Sequence, residues 1–154
     1  MGTFEEVPVD LSAFVDALGK SIVRIHNIHV QYPEIDNTPA GAGLGEMAWQ
    51  LTTQSFAALT DLDNRQVIAS GSANVETSAA GAGNITFATE VMNVGPQEWT
   101  NGYLVAVETL FLGAGVNATK WASVMRPDSL SIVLECTVET MTQSSAMALA
   151  LSQQ

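Results

Sequence analysis

The chain has 154 residues, enough for one domain, and 47% of them are hydrophobic, enough to fill a core. Sixteen acidic residues against five basic ones give a formal net charge of −11. Because phosphate backbones and anionic membranes bind clustered cations and these five are scattered, we predict no direct contact with nucleic acid or lipid headgroups. No run approaches the roughly 18 apolar residues of a transmembrane segment, and the N-terminus lacks the basic region of a signal peptide.

The small number of charges predicts contacts with other chains. Charged residues are 14% of this sequence, whereas they are about 25% of ordinary soluble proteins. With so little polar surface, the chain is expected to bury part of its surface against copies of itself, as a homo-oligomer, or against other proteins. A salty environment is another source of acidity, although the low total charge argues against an extreme halophile.

The stretch DLSAFVDALGK, residues 10–20, has the pattern of a short amphipathic helix. Asp10 is a candidate N-cap and Gly19 a stop signal. A helix of about nine residues is not stable alone, so its apolar stripe has to pack on its own domain or on a neighbour, and we predict contact with another subunit. We assign residues 1–20 to an N-terminal arm and expect its removal to leave the rest of the chain folded. The stripe has the spacing i, i+3, i+4 and i+7 and consists of Leu11, Phe14, Val15 and Leu18.

Residues 21–142 are predicted to form one β-domain. Gly-, Pro- and Asp-rich turns such as TDLDNRQ separate stretches rich in β-branched or alternating apolar residues. Seven or eight strands without long helices between them predict an all-β antiparallel sandwich. The tail, residues 143–154, is predicted as a short helix or a last edge segment. The predicted strands are SIVRIHNIHVQYP, EMAWQLTTQSFAAL (with Met47, Trp49, Leu51 and Thr53 on one face), VIASGSANVET, ITFATEVMNV, YLVAVETLFLG, KWASVMR and SLSIVLECTVETM.

YLVAVETLFLG, residues 103–113, is apolar on both faces if it forms one strand, apart from Glu108. A sandwich strand ordinarily keeps one solvent-facing side. We therefore expect the N-terminal helix, the C-terminal tail or an adjacent subunit to cover the second face. Leu104, Leu110 and Leu112 on that face are, with the N-terminal stripe, the predicted subunit interface.

Metal and phosphate sites are not predicted. His26 and His29 lie three positions apart in a predicted strand, so their side chains point to opposite faces, one packed and one partly exposed. The turn TDLDNRQ lacks the glycine and distal glutamate of an EF-hand loop. The runs AGAGLG and AGAG lack the Lys-Ser/Thr of a phosphate-binding loop. We predict no metal and no cofactor.

An enzyme is not predicted either. The sequence has no Gly-x-Ser-x-Gly nucleophile motif and no evident base for a nucleophile. Cys136 is the only cysteine, which excludes an intrachain disulfide. We predict that it is buried and inert, because Leu134 and Val138 share its strand face.

Trp99 is the candidate for contact with a partner. It lies in the loop sequence PQEWTN beside polar residues, where an exposed indole can stack on a sugar or anchor a protein. The alternative is that Trp99 folds back and covers the end of the sandwich.

Two stretches carry a resemblance to a known family. The pattern of MAWQLTTQSFAALTDLDNRQVIAS predicts a strand, a turn and a second strand. The pattern of YLVAVETLFLGAGVNATKW predicts a hydrophobic strand followed by a loop of small residues, and SLSIVLECTVETM is the predicted closing strand. In the order and residue pattern of their predicted strands, residues 20–142 resemble single jelly-roll coat proteins of icosahedral viruses. The resemblance implies a jelly-roll capsid or decoration subunit, located in a virion, whose partners are copies of itself and other particle proteins. The basic arm that many such proteins direct at the genome is not found here.

A second function remains open from the sequence alone. A β-sandwich with an exposed loop tryptophan is also typical of a ligand- or carbohydrate-binding module, with Trp99 as its contact. Closed oligomers in solution would favour the structural subunit, and a monomer or dimer would favour the binding module.

Overall fold

The computed structural model describes residues 3–16, 18, 20–33, 43–77, 85–117 and 130–154. The predicted strand KWASVMR lies outside them. Within the described residues there is one short 3-10 helix, Pro96–Glu98, and a helix α1 (Gln143–Ser152) after the last strand. The strands are β1 (Thr3–Asp10), β2 (Ser21–Gln31), β3 (Gly43–Thr52), β4 (Val67–Thr77), β5 (Ile85–Val94), β6 (Tyr103–Val105), β7 (Thr109–Asn117) and β8 (Ser131–Thr140).

The strands form two antiparallel sheets. One has five strands in the order β1-β7-β3-β4-β5, and the other has three in the order β6-β2-β8. Every pairing is antiparallel. The prediction of an all-β antiparallel fold is therefore confirmed, and the predicted strands that begin at residues 21, 67 and 85 are found in place.

The main core joins the inner faces of the two sheets. Met47, Trp49 and Leu51 of β3 are 0–1% exposed, so the predicted inward face of that strand is confirmed. They belong to one cluster with Ile25 and Ile28 of β2. Alternate residues of each strand thus supply the core, as the period of two in the sequence requires.

The described residues of the N-terminal segment form a strand and a turn, where the sequence predicted a helix. β1 pairs with β7 along its whole length, so this segment belongs to the five-stranded sheet. The carbonyl of Leu11 accepts from Phe14 N at 2.8 Å and Val15 N at 2.9 Å, a single turn. The carboxylate of Asp10 caps it by accepting from Ser12 N at 2.8 Å. A nine-residue helix is marginal in water, and the described residues form a single turn before the isolated bridge between Asp16 and Ser21.

Residues 103–113 form parts of two strands in different sheets, not one strand. The chain leaves β6 in the three-stranded sheet and enters β7 in the five-stranded sheet. Before the crossing the odd-numbered Val105 faces the main core, and after it the even-numbered Leu110 and Leu112 do. This change of parity at the exposed Glu108 explains why the stretch is apolar in both alternating positions.

The C-terminal tail is the helix α1, one of its two predicted forms. The hydroxyl of Thr142 caps its first turn. The helix packs against Ile22, Leu104 and Ala106 on the outer face of the three-stranded sheet. The Gln153 side chain donates to Leu104 O at 2.6 Å and accepts from Ala106 N at 2.9 Å. The tail therefore covers the second face of β6, as one of the predicted alternatives required.

The loop between β3 and β4 lies on the outer face of the five-stranded sheet. The Glu6 carboxylate of β1 accepts from Ser55 Oγ at 2.5 Å and Phe56 N at 3.0 Å. The Gln50 side chain of β3 binds both the backbone N–H and the carbonyl of Thr60. The predicted turn TDLDNRQ closes this loop. The N-terminal strand thus holds a loop that follows it by some 50 positions.

Candidate interaction surface at the edge of β8

The three-stranded sheet ends in a long edge strand. In the described part of the chain, β8 pairs with β2 on one side and with no strand on the other. Its ten residues include no Pro or Lys, which natural edge strands often use against unwanted pairing. The other edges differ: β1 contains Pro8, β6 has three residues, and the ladder of β5 with β4 is irregular at two points. Of these edges, β8 is the one best suited to accept another strand.

The backbone of β8 directs alternate residues to its free side. Met141 N donates to Lys20 O at 2.9 Å, next to the last pair of the β2–β8 ladder. Because hydrogen bonding to one neighbour alternates along an antiparallel strand, the odd-numbered residues of β8 bond to β2. The N–H and C=O groups of the even-numbered residues therefore point to the open edge, and they belong to Ile132, Leu134, Cys136, Val138 and Thr140.

Apolar side chains are exposed on both faces of this edge. Val133 on the outer face is 64% exposed, and Val138, opposite the buried Val23, is 55% exposed although it points toward the core side. The prediction that Cys136 is buried is wrong, because Cys136 is exposed beside Val138. Val138 and Cys136 thus point toward the core side and are still exposed, so the direction of a side chain alone does not predict burial on this strand.

The surroundings of Cys136 affect its chemistry. Partial desolvation, with the nearby charge of Glu135, raises the pKa of the Cys136 thiol. A raised pKa reduces the thiolate fraction at neutral pH, and the thiolate is the reactive form. The thiol is therefore accessible to reagents but not activated.

An ion pair neutralises one of the two acidic residues of β8. Arg24 of β2 donates from Nε to Glu139 Oε1 at 2.5 Å and from Nη2 to Oε2 at 3.0 Å. The guanidinium hydrogen bonds lower the pKa of Glu139, and the carboxylate raises the pKa of Arg24. A third donor, Arg24 Nη1, binds Asn101 O at 2.5 Å. The arginine thus joins β8 to the loop that carries Trp99.

Both histidines of β2 are exposed, where the sequence predicted one of them packed. The β2–β8 register shifts at His26, and this bulge interrupts the alternation of side chains on which the prediction depended. His26 Nε2 lies 2.8 Å from Thr137 Oγ1 and His29 Nε2 lies 3.0 Å from Asn27 Nδ2. Polar neighbours on the same sheet surface therefore engage both rings.

Trp99 lies beside β6, at the edge of the three-stranded sheet opposite β8. Its indole is 43% exposed, so it does not fold back completely over the sandwich. The ring centroids of Trp99 and Tyr103 are 5.5 Å apart at 34°. Gly102, with φ of +62°, closes the loop, and a Cβ there would lie 2.3 Å from Ile25 O. The loop is thus held against β2, and a contact role for Trp99 stays a prediction.

The predicted interface residues fall into three groups. Leu11, Val15, Leu110 and Leu112 are at most 8% exposed and lie in the core of their own chain. Leu104 is partly buried under α1. Phe14 and Leu18 are 54% and 71% exposed, so of the predicted set these two remain candidates for contact with another subunit.

The sequence prediction missed the β8 edge, which was assigned only as a closing strand. A usable signal was present in SIVLECTVET, where Ile132, Val133 and Leu134 are consecutive apolar residues. Such a run places apolar side chains on both faces of a strand. Whether the strand is central or at an edge depends on sheet order, which the sequence pattern does not contain.

Comparisons of the chain with family models, with curated proteins and with solved structures found no match. Among the helices of the described residues, none combines the length and the apolar character that crossing a membrane requires.

Proposed function

We propose that this protein is a structural subunit that assembles with copies of itself, and that the assembly is a virus or phage particle in which it is a capsid or decoration protein without catalysis. The open edge of β8 carries the self-assembly part of this proposal. Val133 and Val138 on that edge are 64% and 55% exposed. Strand addition would give partners to backbone groups that no described strand pairs, and it would bury these side chains.

Exposed apolar side chains on neighbouring elements support more than one contact per subunit. Phe14 and Leu18 lie in the turn before β2, and Met147 and Leu151 lie on the solvent side of α1, with exposures of 54%, 71%, 42% and 69%. Burying one large aliphatic side chain contributes about 1.5–3 kcal/mol. A shell needs several weak contacts per subunit, and this distribution supplies them.

The particle part of the proposal depends on the resemblance to single jelly-roll coat proteins. A jelly roll has eight strands in two sheets, and the described residues hold eight strands in two antiparallel sheets of five and three. The jelly-roll topology itself therefore remains part of the proposal. Five basic residues in the whole chain favour a layer that does not contact the genome.

The test is the size of the purified protein in a dilution series, by light scattering and negative-stain microscopy. We expect oligomers that grow with concentration and with salt, because salt screens the repulsion of chains with a net charge of −11. A double variant, Val133→Lys with Val138→Lys, should remain folded and assemble poorly. Val91→Lys on the edge strand β5, where Val91 is 46% exposed, is the control. A wild-type monomer at every concentration and salt would refute self-assembly.

A binding module that acts through Trp99 is the second candidate. It is favoured by an exposed indole on a loop that Arg24 holds in place through Asn101 O. Such a fixed aromatic surface can stack on a sugar ring without ordering a loop.

A titration with neutral oligosaccharides tests this second function. Binding heat that is present in the wild type and lost in Trp99→Ala would support it. Binding that is equal in both proteins would exclude Trp99 as the contact, and no binding of any oligosaccharide would exclude a carbohydrate module.

A further inference from the structure

We infer that the edge of β8 that no described strand covers pairs with β8 of a second copy, antiparallel, around a two-fold axis that passes Cys136. This inference rests on the proposed self-assembly and adds the contact, the partner strand and the register. The product is a continuous six-stranded sheet in the order β6-β2-β8-β8-β2-β6, with both five-stranded sheets on the same side of it. A second copy is a suitable partner because a two-fold contact pairs the same surface of each copy, here the edge of β8, with itself.

Two-fold symmetry allows few registers for the pairing of two β8 strands. Side chains directly opposite each other in an antiparallel pair lie on the same face, so a two-fold axis perpendicular to the sheet must pass beside one residue of β8. With the axis at Cys136, residues 132–140 of each copy pair within the strand. An axis at Glu135 also pairs nine residues, 131–139, whereas an axis at Leu134 or at Thr137 pairs only seven, 131–137 or 134–140, and an axis nearer either end leaves a shorter contact.

Charge selects between the two nine-residue registers, centred on Cys136 and Glu135, and also disfavours the seven-residue register centred on Thr137. An axis at Glu135 places that carboxylate directly opposite its own copy, and an axis at Thr137 places Glu135 opposite Glu139 twice. Like charges directly opposite each other destabilise a strand pair. An axis at Cys136 places Glu135 opposite the second copy's Thr137, which is a hydroxyl, and Glu139 opposite the second copy's Val133. This register alone of the three avoids opposed carboxylates.

The ion pair on β8 makes this contact compatible with a strongly acidic chain. Glu139 keeps its own counter-ion, because Arg24 holds both carboxylate oxygens at 2.5 Å and 3.0 Å. The carboxylate that approaches the second copy's Val133 is therefore already neutralised. Glu135 is the remaining acid of the strand, and it meets an uncharged hydroxyl.

The same register matches apolar side chains on the core side. Leu134, which packs partly on the core, lies opposite the second copy's Val138, which is 55% exposed. The exposed Cys136 lies between the two Leu134–Val138 pairs. The even-numbered residues whose N–H and C=O groups point to the free edge oppose each other, as hydrogen-bonded pairs require. The backbone pairs in the same way in the other two-fold registers, so the side chains select the axis at Cys136.

Disulfide crosslinking through Cys136 tests the contact. A hydrogen-bonded antiparallel pair has Cα atoms about 5.5 Å apart, which a disulfide can span. An axis at Glu135 or Thr137 separates the two cysteines by two further residues, about 7 Å along the strand, which is out of reach. Mild oxidation with copper-phenanthroline should give a covalent dimer that reductant reverses and that Cys136→Ser lacks. Assembly in sedimentation without this dimer would overturn the inference and leave self-assembly intact. A monomer at all concentrations would overturn both.

Charge variants at Thr137 test the register independently of thiol chemistry. Thr137→Lys should tighten the dimer about threefold to tenfold, because it creates two pairs with Glu135, and Thr137→Glu should weaken it by a similar factor. Asn93→Lys on β5 changes the net charge as Thr137→Lys does, and it should leave the dimer nearly unchanged. Equal tightening by both lysines would mean general charge reduction and would overturn the register. Weakening by Thr137→Lys would place the axis at Thr137 instead, where lysine would oppose lysine.

Discussion

Trp49 and Gly71 lie directly opposite each other on β3 and β4, and the glycine leaves the space that the indole fills. A Cβ at Gly71 would lie 2.7 Å from Trp49 Nε1 and 2.7 Å from Val91 O. The indole N–H donates to Tyr32 Oη at 2.9 Å. Burial raises the pKa of Tyr32, and the hydrogen bond from Trp49 opposes this rise. Gly71, which weakens its own strand, therefore leaves room for the largest fully buried side chain of the core.

Gly71→Ala should destabilise the protein by about 1–3 kcal/mol, because the added methyl group has to displace the indole or a backbone carbonyl. Urea unfolding measured by circular dichroism gives the difference in free energy. Gly115→Ala is the matched control, since a Cβ there would lie 3.4 Å from the flexible side chain of Leu59. Equal costs for both variants would contradict the close approach of Trp49 and Gly71.

Leu110→Ala should cost about 2–5 kcal/mol of unfolding free energy, because Leu110 is 0% exposed in the core of its own chain. Val133→Ala on the β8 edge should change the stability of the monomer by less than about 0.5 kcal/mol. Unfolding in dilute solution, where the chain is monomeric, measures both. A Leu110→Ala protein that stays as stable as the wild type but loses assembly would return this residue to the subunit interface.

Lys20→Gly should stabilise the protein by about 1 kcal/mol, because Lys20 has φ of +76°, a left-handed conformation that costs a side-chain-bearing residue about 1–2 kcal/mol. The turn that contains it is closed by Asp16 and Ser21, whose backbones exchange two hydrogen bonds of 2.9 Å. Lys20→Ala removes the same charge and keeps the strain, so it should give no such gain. A gain of equal size in both variants would assign the effect to charge.

Glu139→Gln should lower the thermal midpoint at pH 7 and should matter less in acid. The pKa of Glu139 is lowered in the folded state by its hydrogen bonds with Arg24. A carboxylate of this kind stabilises the fold above its unfolded pKa of about 4.3, and the contribution disappears as pH falls through the folded pKa. The difference between wild type and variant should therefore shrink below about pH 4. Glu135→Gln on the same strand face is the control, and a difference that persists unchanged to pH 2 would refute the ion-pair origin.

The local pattern of apolar and polar residues was sufficient to predict that this fold consists mainly of β-strands. Alternation in MAWQL predicts which side chains of β3 are inside, and Met47, Trp49 and Leu51 are all buried. Alternation depends only on the geometry of a strand, so it survives without knowledge of the neighbours. The turn TDLDNRQ was likewise predictable, because Asn64 Oδ1 accepts from Gln66 N in its own turn.

The errors arose where the partner of a segment decides its structure. Residues 10–20 have the apolar period of a helix, yet Leu11 and Val15 contact the core from a turn that follows β1 in the chain. Cys136 follows the inward face of β8, yet it is exposed because β8 is an edge. Sheet order and strand crossings join residues far apart in the chain, and a local period contains no information about them.

Residue-resolved amide hydrogen exchange of β8 tests self-assembly through this edge most directly. In dilute protein the amides of Leu134 and Cys136, which point to the free edge, should exchange fast, while those of Glu135 and Thr137, bonded to β2, should be protected. In concentrated, assembled protein the amides of Leu134 and Cys136 should become protected as well. If they exchange fast at concentrations where sedimentation shows assembly, then β8 is not the strand that joins the subunits.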